Sequence, residues 1–200
     1  MKHKILVLCI GAALFFAAGS LLLAGHDELS CANCHVPHRS GDSSDPGAYG
    51  VALWNSFETA DGLPTFELYS SETLDATDLS QPDGSSRLCL GCHDGSFRSG
   101  GSTMRDSVVF SAGDLAKAHP VSFTYDSALA AADGTLNDPQ TAPSGFGGTV
   151  DEDLLDERHK VQCASCHDVH STGLGTNHLR WEYDPAQGTE MMMCNVCHTR

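Results

Sequence analysis

Apolar residues crowd the start of this chain and thin out after it. Ile5 to Leu23 is a nearly unbroken apolar run behind Lys2 and Lys4, the charged start and apolar middle of a secretory signal peptide. Ala24 and Gly25 supply small residues for a cleavage point that leaves His26 at the mature N-terminus. The pattern therefore predicts a leader over 1–25 and a single domain over 26–200. About 20 apolar residues can also span a bilayer as an uncleaved anchor, but Gly11, Gly19 and Ser20 interrupt this run. Cys9 lies inside it with no small residue before it, so it reads as one more apolar leader residue rather than a lipid attachment site.

Beyond the leader no long helical or alternating period emerges, and Gly, Ser, Asp and Pro punctuate the chain throughout. What remains are short apolar patches. Val51 to Phe57, with Trp54, and Phe66 to Tyr69 offer aromatic and aliphatic packing, while Val108 to Phe110 and Val121 to Tyr125 read as two short strands able to pair. Asp133 to Gly148 reads as an extended surface loop. Asp151 to Glu157 reads as the start of a short acidic helix with a solvated face, without the Asp-x-Asp-x-Asp-Gly spacing of a calcium loop. A chain this poor in periodic apolar faces needs something other than side chains to build its core.

The cysteines supply a candidate. Eight of the nine fall into four Cys-x-x-Cys pairs, and each pair is followed at once by His: Cys31, Cys34 and His35; Cys89, Cys92 and His93; Cys163, Cys166 and His167; Cys194, Cys197 and His198. This is the attachment signature for c-type haem, two thiols for the porphyrin edge and a histidine for the iron. A four-thiolate zinc site uses Cys-x-x-Cys pairs two at a time but gives no reason for the histidines. Disulfides are open to an even number of exported cysteines, yet they leave the histidines equally unexplained. A redox dithiol needs a strand-helix context around one pair. The expected fold is a multihaem cytochrome c, mostly irregular coil with short helices and few short strands, wrapped around a row of four covalently attached haems.

Haem iron has two axial positions, so four more ligands are needed if every site is closed. The mature chain offers His26, His38, His119, His159, His170 and His178 against Met104 and the run Met191 to Met193. The Met run abuts Cys194, where packing is its expected task. All four sites are expected to be bis-His, with His26, His38, His119 and His170 preferred and His159 and His178 in reserve. His38 and His170 each follow a motif histidine by three residues, and residues three apart on a helix project from one side. Two axial ligands approach from opposite faces, so His38 and His170 must each serve a haem other than the one beside them. Pro120 restricts the backbone of His119, which suits a fixed ligand.

The formal charge of −15 becomes −17 once Lys2 and Lys4 leave with the leader. Nucleic acid is therefore not an expected partner. With a row of haems in place, the expected role is electron transfer, with redox proteins or extracellular electron acceptors as partners. A multihaem reductase would need an iron with an open position, and nothing in the sequence marks one.

Several stretches together resemble a known family: His26 to Ser30, Cys31 to His38, Leu88 to Gly95, His119 to Phe123 and Cys163 to His170. In these the chain is similar to the extracellular tetrahaem cytochromes of the OmcE type, which polymerise into nanowire filaments, and the likeness covers nearly the whole mature chain. The resemblance implies a coil-like subunit around a continuous haem row, with one iron receiving a histidine from the adjoining subunit. By that analogy His38 is the donor, to a late haem of its neighbour, in a head-to-tail homopolymer outside the cell. A monomeric periplasmic shuttle is the alternative with the same chemistry.

Overall fold

The computed structural model describes residues 26, 31–35, 65–94, 98, 99, 102, 103, 110–171, 178–182 and 190–199. The predicted leader, Trp54, Met104, Val108, Val109 and His38 lie outside these. The chain divides into two compact units, Met1–Ser30 and Cys31–Arg200. Among the described residues of the second unit regular structure is sparse. Six helices are described: α1 (Cys31–Cys34), α2 (Gly84–His93), α3 (Ser127–Asp133), α4 (Val150–Leu154), α5 (Cys163–Cys166) and α6 (Glu190–Cys197). Strands β1 (Arg98–Ser99) and β2 (Ser102–Thr103) form one antiparallel pair, and β3 (Phe123–Thr124) and β4 (Lys160–Val161) form another.

Val121 to Tyr125 does contribute a strand, whose described partner is β4; of Val108 to Phe110 only Phe110 lies among the described residues. Phe123 pairs with Val161 and Thr124 with Lys160. Phe110 instead donates its amide to the carbonyl of His93 at 2.6 Å, satisfying one of the terminal carbonyls that α2 leaves open.

Local chemistry explains where the helices start and stop. The Asp126 side chain accepts from the amide of Leu129 at 2.8 Å to open α3, and Gly134, left-handed at φ 71°, closes it with its amide on Ala130. Thr149 and Glu152 form a reciprocal capping box at α4, whose first turn carries Asp151, Glu152 and Asp153 where the helix dipole favours negative charge. The acidic run is thus a helix over Val150–Leu154, and its charges are engaged: Asp153 accepts from Ser144 and Gly148, and Asp151 from His159. Val150 and Leu154 point the other way, into the core.

That core is small. Phe123, Tyr125, Ala130, Val150, Leu154 and Val161 form one buried cluster, with Trp181, Val196 and Cys197 packed against it. Phe66, Leu90 and Leu115 form a second. The segment expected as an extended surface loop is tied into the first of these clusters. Pro139 and Ser144 are fully buried, and the amides of Val150 and Asp151 donate to the carbonyls of Ala142 and Pro139 at 2.9 and 3.0 Å.

A buried polar network is centred on Gln162, which is 2% exposed. Its Oε1 accepts from the hydroxyls of Ser86 (2.6 Å) and Ser122 (3.1 Å), and its Nε2 donates to Asp83 and Asp156, both at 2.9 Å. Gly84, at φ +50°, is where the chain squeezes past this amide. A Cβ there would stand 2.9 Å from Gln162 Nε2, so glycine is required on both steric and backbone grounds. Asp83 also pairs with Lys160 at 2.9 Å and Arg158 at 3.0 Å.

Burial alone would raise the Asp83 carboxyl, but the hydrogen bonds from Gln162 and Lys160 and the charges of Lys160 and Arg158 outweigh it and hold the group below the usual carboxylate range. A depressed folded value contributes stability that is fully present above the unfolded value, near ~4, and is lost as pH falls through the folded one. Urea midpoints measured across acid pH should therefore fall on acidification, and Asp83→Asn should be less stable than the parent at neutral pH with a shallower acid limb. An unchanged acid limb in that variant contradicts the assignment.

Candidate functional site

All four Cys-x-x-Cys-His motifs are built on helical backbone, the first and third as the single turns α1 and α5, the second inside α2 and the fourth at the end of α6. Cysteines at i and i+3 share a side of the turn. At the first, third and fourth sites the histidine amide returns to the carbonyl of the leading cysteine, at 2.7 Å for His35, 3.0 Å for His167 and 2.8 Å for His198. At the second site the whole motif lies inside α2, and the amide of Asp94 closes the helix on Leu90. All eight cysteines are free thiols.

The fold gathers the motifs. The thiols of Cys89 and Cys163 hydrogen-bond to each other, which pushes Cys89 well up, with burial adding to the shift, and brings Cys163 down. Charge developing on the sulfurs of Cys163, Cys92 or Cys34 would raise Cys89 further. Burial raises Cys166, with Cys163 and Cys194 adding to it, and pushes Cys197 up to about 12 with help from Cys166 and Cys194. Successive attachment sites thus lie within electrostatic reach of one another.

Two of the candidate distal histidines face motif histidines. The ring centroids of His35 and His170 are 6.0 Å apart with planes at 25°, and those of His119 and His198 are 6.3 Å apart at 76°. A metal-bound imidazole nitrogen sits about 2 Å from the metal and the ring centre about 1 Å further, so two rings on opposite sides of one iron have centres roughly 6 Å apart. Both pairs fit that spacing. His119 carries a further mark of a ligand: its Nδ1 is 2.9 Å from the carbonyl of Pro120. A proton placed there leaves Nε2 with the lone pair, the orientation that outer hydrogen bonds give to metal-binding imidazoles. Desolvation, with the nearby His198 adding to it and the Pro120 carbonyl opposing, favours the neutral ring a metal needs.

The other candidates sit differently. His159 occupies a tight turn at φ 59° with Nδ1 2.6 Å from Asp151, and its ring is 56% exposed. His178, at φ 57°, accepts the amide of Asp168 on its carbonyl at 2.8 Å. His26 belongs to the first unit and His38 lies outside the described residues. Met192 is 61% exposed on α6, so the packing expected of the Met run does not extend to it.

Among the described residues no three His, Cys, Asp or Glu side chains converge as a metal held by the protein alone would require. A haem asks less of the chain, because the macrocycle fills four positions and only two imidazoles come from protein. The paired thiols and paired rings fit that donor set. Cys31 and Cys34, Cys89 and Cys92, Cys163 and Cys166, and Cys194 and Cys197 would hold the four groups.

The fourth site is latched by residues that composition alone passed over. The terminal carbonyls of α6 are claimed from a distance: Asn137 Nδ2 donates to Asn195 and Val196 at 3.0 and 3.1 Å, its amide donates to Cys197 at 2.8 Å, and the Tyr125 hydroxyl donates to the carbonyls of Asn137 and Cys197. Thr199 pairs back to Thr135. Asn137 is hidden in sequence within a Gly- and Pro-rich stretch that looks like a loop. No family model matches the chain, and no curated protein matches it.

Burial, with the negative charges of Cys197, Asp138 and Asp133 adding to it, pushes the Tyr125 phenol upward, so its hydroxyl stays protonated and donating. Tyr125→Phe should cost about 1 kcal/mol and speed amide exchange in residues 190–199 above that elsewhere. Equal exchange throughout would remove the latch.

Proposed function

We propose that this chain is an electron-transfer protein carrying four covalently attached, bis-His c-type haems, the repeating subunit of an extracellular filament. One observation carries the haem reading: four Cys-x-x-Cys-His turns lie together, and two of their histidines face a second imidazole at 6.0 and 6.3 Å. When bound, each haem supplies an iron that gains and loses one electron without meeting a substrate. The chain's own residues anchor, orient and close. The cysteine thiols would tether the macrocycle edge, and His35, His93, His167 and His198 would each hold the iron beside its own motif. His170 and His119 would supply the second imidazole at the first and fourth sites. The Pro120 carbonyl holds the His119 tautomer, and α6 is kept in place by Asn137 and Tyr125. A leader over 1–25 would export the chain to a compartment where such attachment takes place.

Filament formation rests on the resemblance. A heterologous head-to-tail contact that does not close into a ring continues without limit, and a histidine donated across it would make each subunit complete its neighbour's metal site. His38 is the proposed donor.

The purified mature protein should show the mass of four added haems and an all-low-spin absorption spectrum indifferent to small ligands. A colourless protein, or one holding zinc, overturns the reading. His170→Ala and His119→Ala should each keep all four haems attached while turning one of them high-spin and ligand-responsive, and a spectrum identical to the parent's removes that histidine from the ligand set.

His38→Ala should leave four haems attached and abolish filaments under electron microscopy. Filaments of ordinary length from this variant would exclude His38 as the bridge, and globular monomers from the parent chain would favour a shuttle.

A further inference from the structure

Helix α5 begins in an unusual way. The first amide of a helix has no partner inside it, and that of Cys163 is taken by a side chain from another helix: it donates to Ser86 Oγ at 2.9 Å. Ser86 lies in α2, three residues before Cys89 and therefore on its side of the helix. The same hydroxyl donates to Gln162 Oε1 at 2.6 Å, and Gln162 is the residue immediately before Cys163. Its own amide donates to Ser165 Oγ at 2.9 Å, closing the turn of α5 from within. The second and third attachment motifs, 74 positions apart from Cys89 to Cys163, are thus joined by two hydrogen bonds through one hydroxyl that is 0% exposed.

The bond set is complete as well as buried. A carboxamide can accept two bonds and donate two, and Gln162 does both, to Ser86, Ser122, Asp83 and Asp156. Directional bonds in a low-dielectric interior fix orientation in a way that apolar contact does not. The outcome is visible at the thiols, where Cys89 and Cys163 touch.

We propose that Ser86 and Gln162 are positioning residues that set the register between the second and third attachment sites, and so the electronic coupling between the two haems those sites would hold. This rests on the haem reading given above. Ser86 reaches the sulfur of Cys163 as well as its amide, and neither Ser86 nor Gln162 is among the residues that would ligate an iron. They act by holding the ends of α2 and α5, and with them the sulfurs of Cys89 and Cys163, at one separation.

The test uses the intact haem-loaded protein. Circular dichroism in the Soret band reports coupling between neighbouring porphyrins, whereas mass and absorption report only attachment and ligation. Gln162→Leu and the milder Ser86→Ala should retain four haems and a low-spin absorption spectrum while losing amplitude in the two-signed Soret dichroism. Leu129→Ala, which removes packing contributed by α3, a helix that none of the network's bonds engage, should lower the melting temperature without that loss. Parent-like dichroism in a loaded Ser86→Ala or Gln162→Leu protein overturns the proposal, as does an equal loss in Leu129→Ala, which would make the effect one of stability alone. A parent protein without haem is a different result: it overturns the cofactor reading itself.

Discussion

Each attachment motif depends on one short turn. The two thiols stand three residues apart and the imidazole one residue beyond, and only a helical backbone brings thiols at that spacing to the same side. The bond from the histidine amide to the leading cysteine carbonyl, 2.7 to 3.0 Å wherever the histidine follows its helix, fixes the turn at the point where the imidazole leaves it. The rest of the described fold can be read as machinery for holding four such turns at fixed places. A four-residue helix such as α1 or α5 has almost no stability of its own, so each borrows it. α5 takes a hydroxyl from α2, and α6 takes Asn137 and Tyr125 from a segment far back in the chain.

This borrowing fits the apolar core of the described residues. Ten hydrophobic side chains are buried there, nine of them in two separate clusters. Polar bonds carry much of the specificity instead. Gln162 and Asp83 sit in the middle of opposed charges and hydroxyls, and the depressed Asp83 carboxyl records how strongly that setting favours its ionised form. If four macrocycles are attached, they add rigid apolar mass beside these networks, and the chain has less reason to supply it from leucine and phenylalanine.

How much of this was legible in the sequence differs by kind of residue. The four motifs were, because the spacing of their thiols and histidines stands in the chain itself. That His170 should face away from its own motif was arguable from helical geometry, but that its ring lies opposite His35 came from the fold, since nothing local distinguishes His35 from other motif histidines. Strand partners were not legible: Val121 to Tyr125 is apolar enough to be a strand, and an apolar pattern does not say whether Val108 to Phe110 or Lys160 and Val161 lies alongside. Composition misled most over 133–148, where Gly and Pro suggested solvent. Buried Pro139 and Ser144 and the latch at Asn137 depend on partners elsewhere in the chain, beyond the reach of any local window. Gln162 escaped notice for the opposite reason, being an ordinary polar residue whose role comes only from four neighbours meeting around it.

The latch on α6 has a consequence for the order of events during folding. Its bonds span 58 to 72 residues, so a long loop must close before any of them forms, and the entropy of that closure comes before its reward. Until that closure the helix holding Cys194 and Cys197 lacks its hydrogen-bond partners, and a haem joined there before it would meet thiols on a segment that the rest of the fold has not yet fixed.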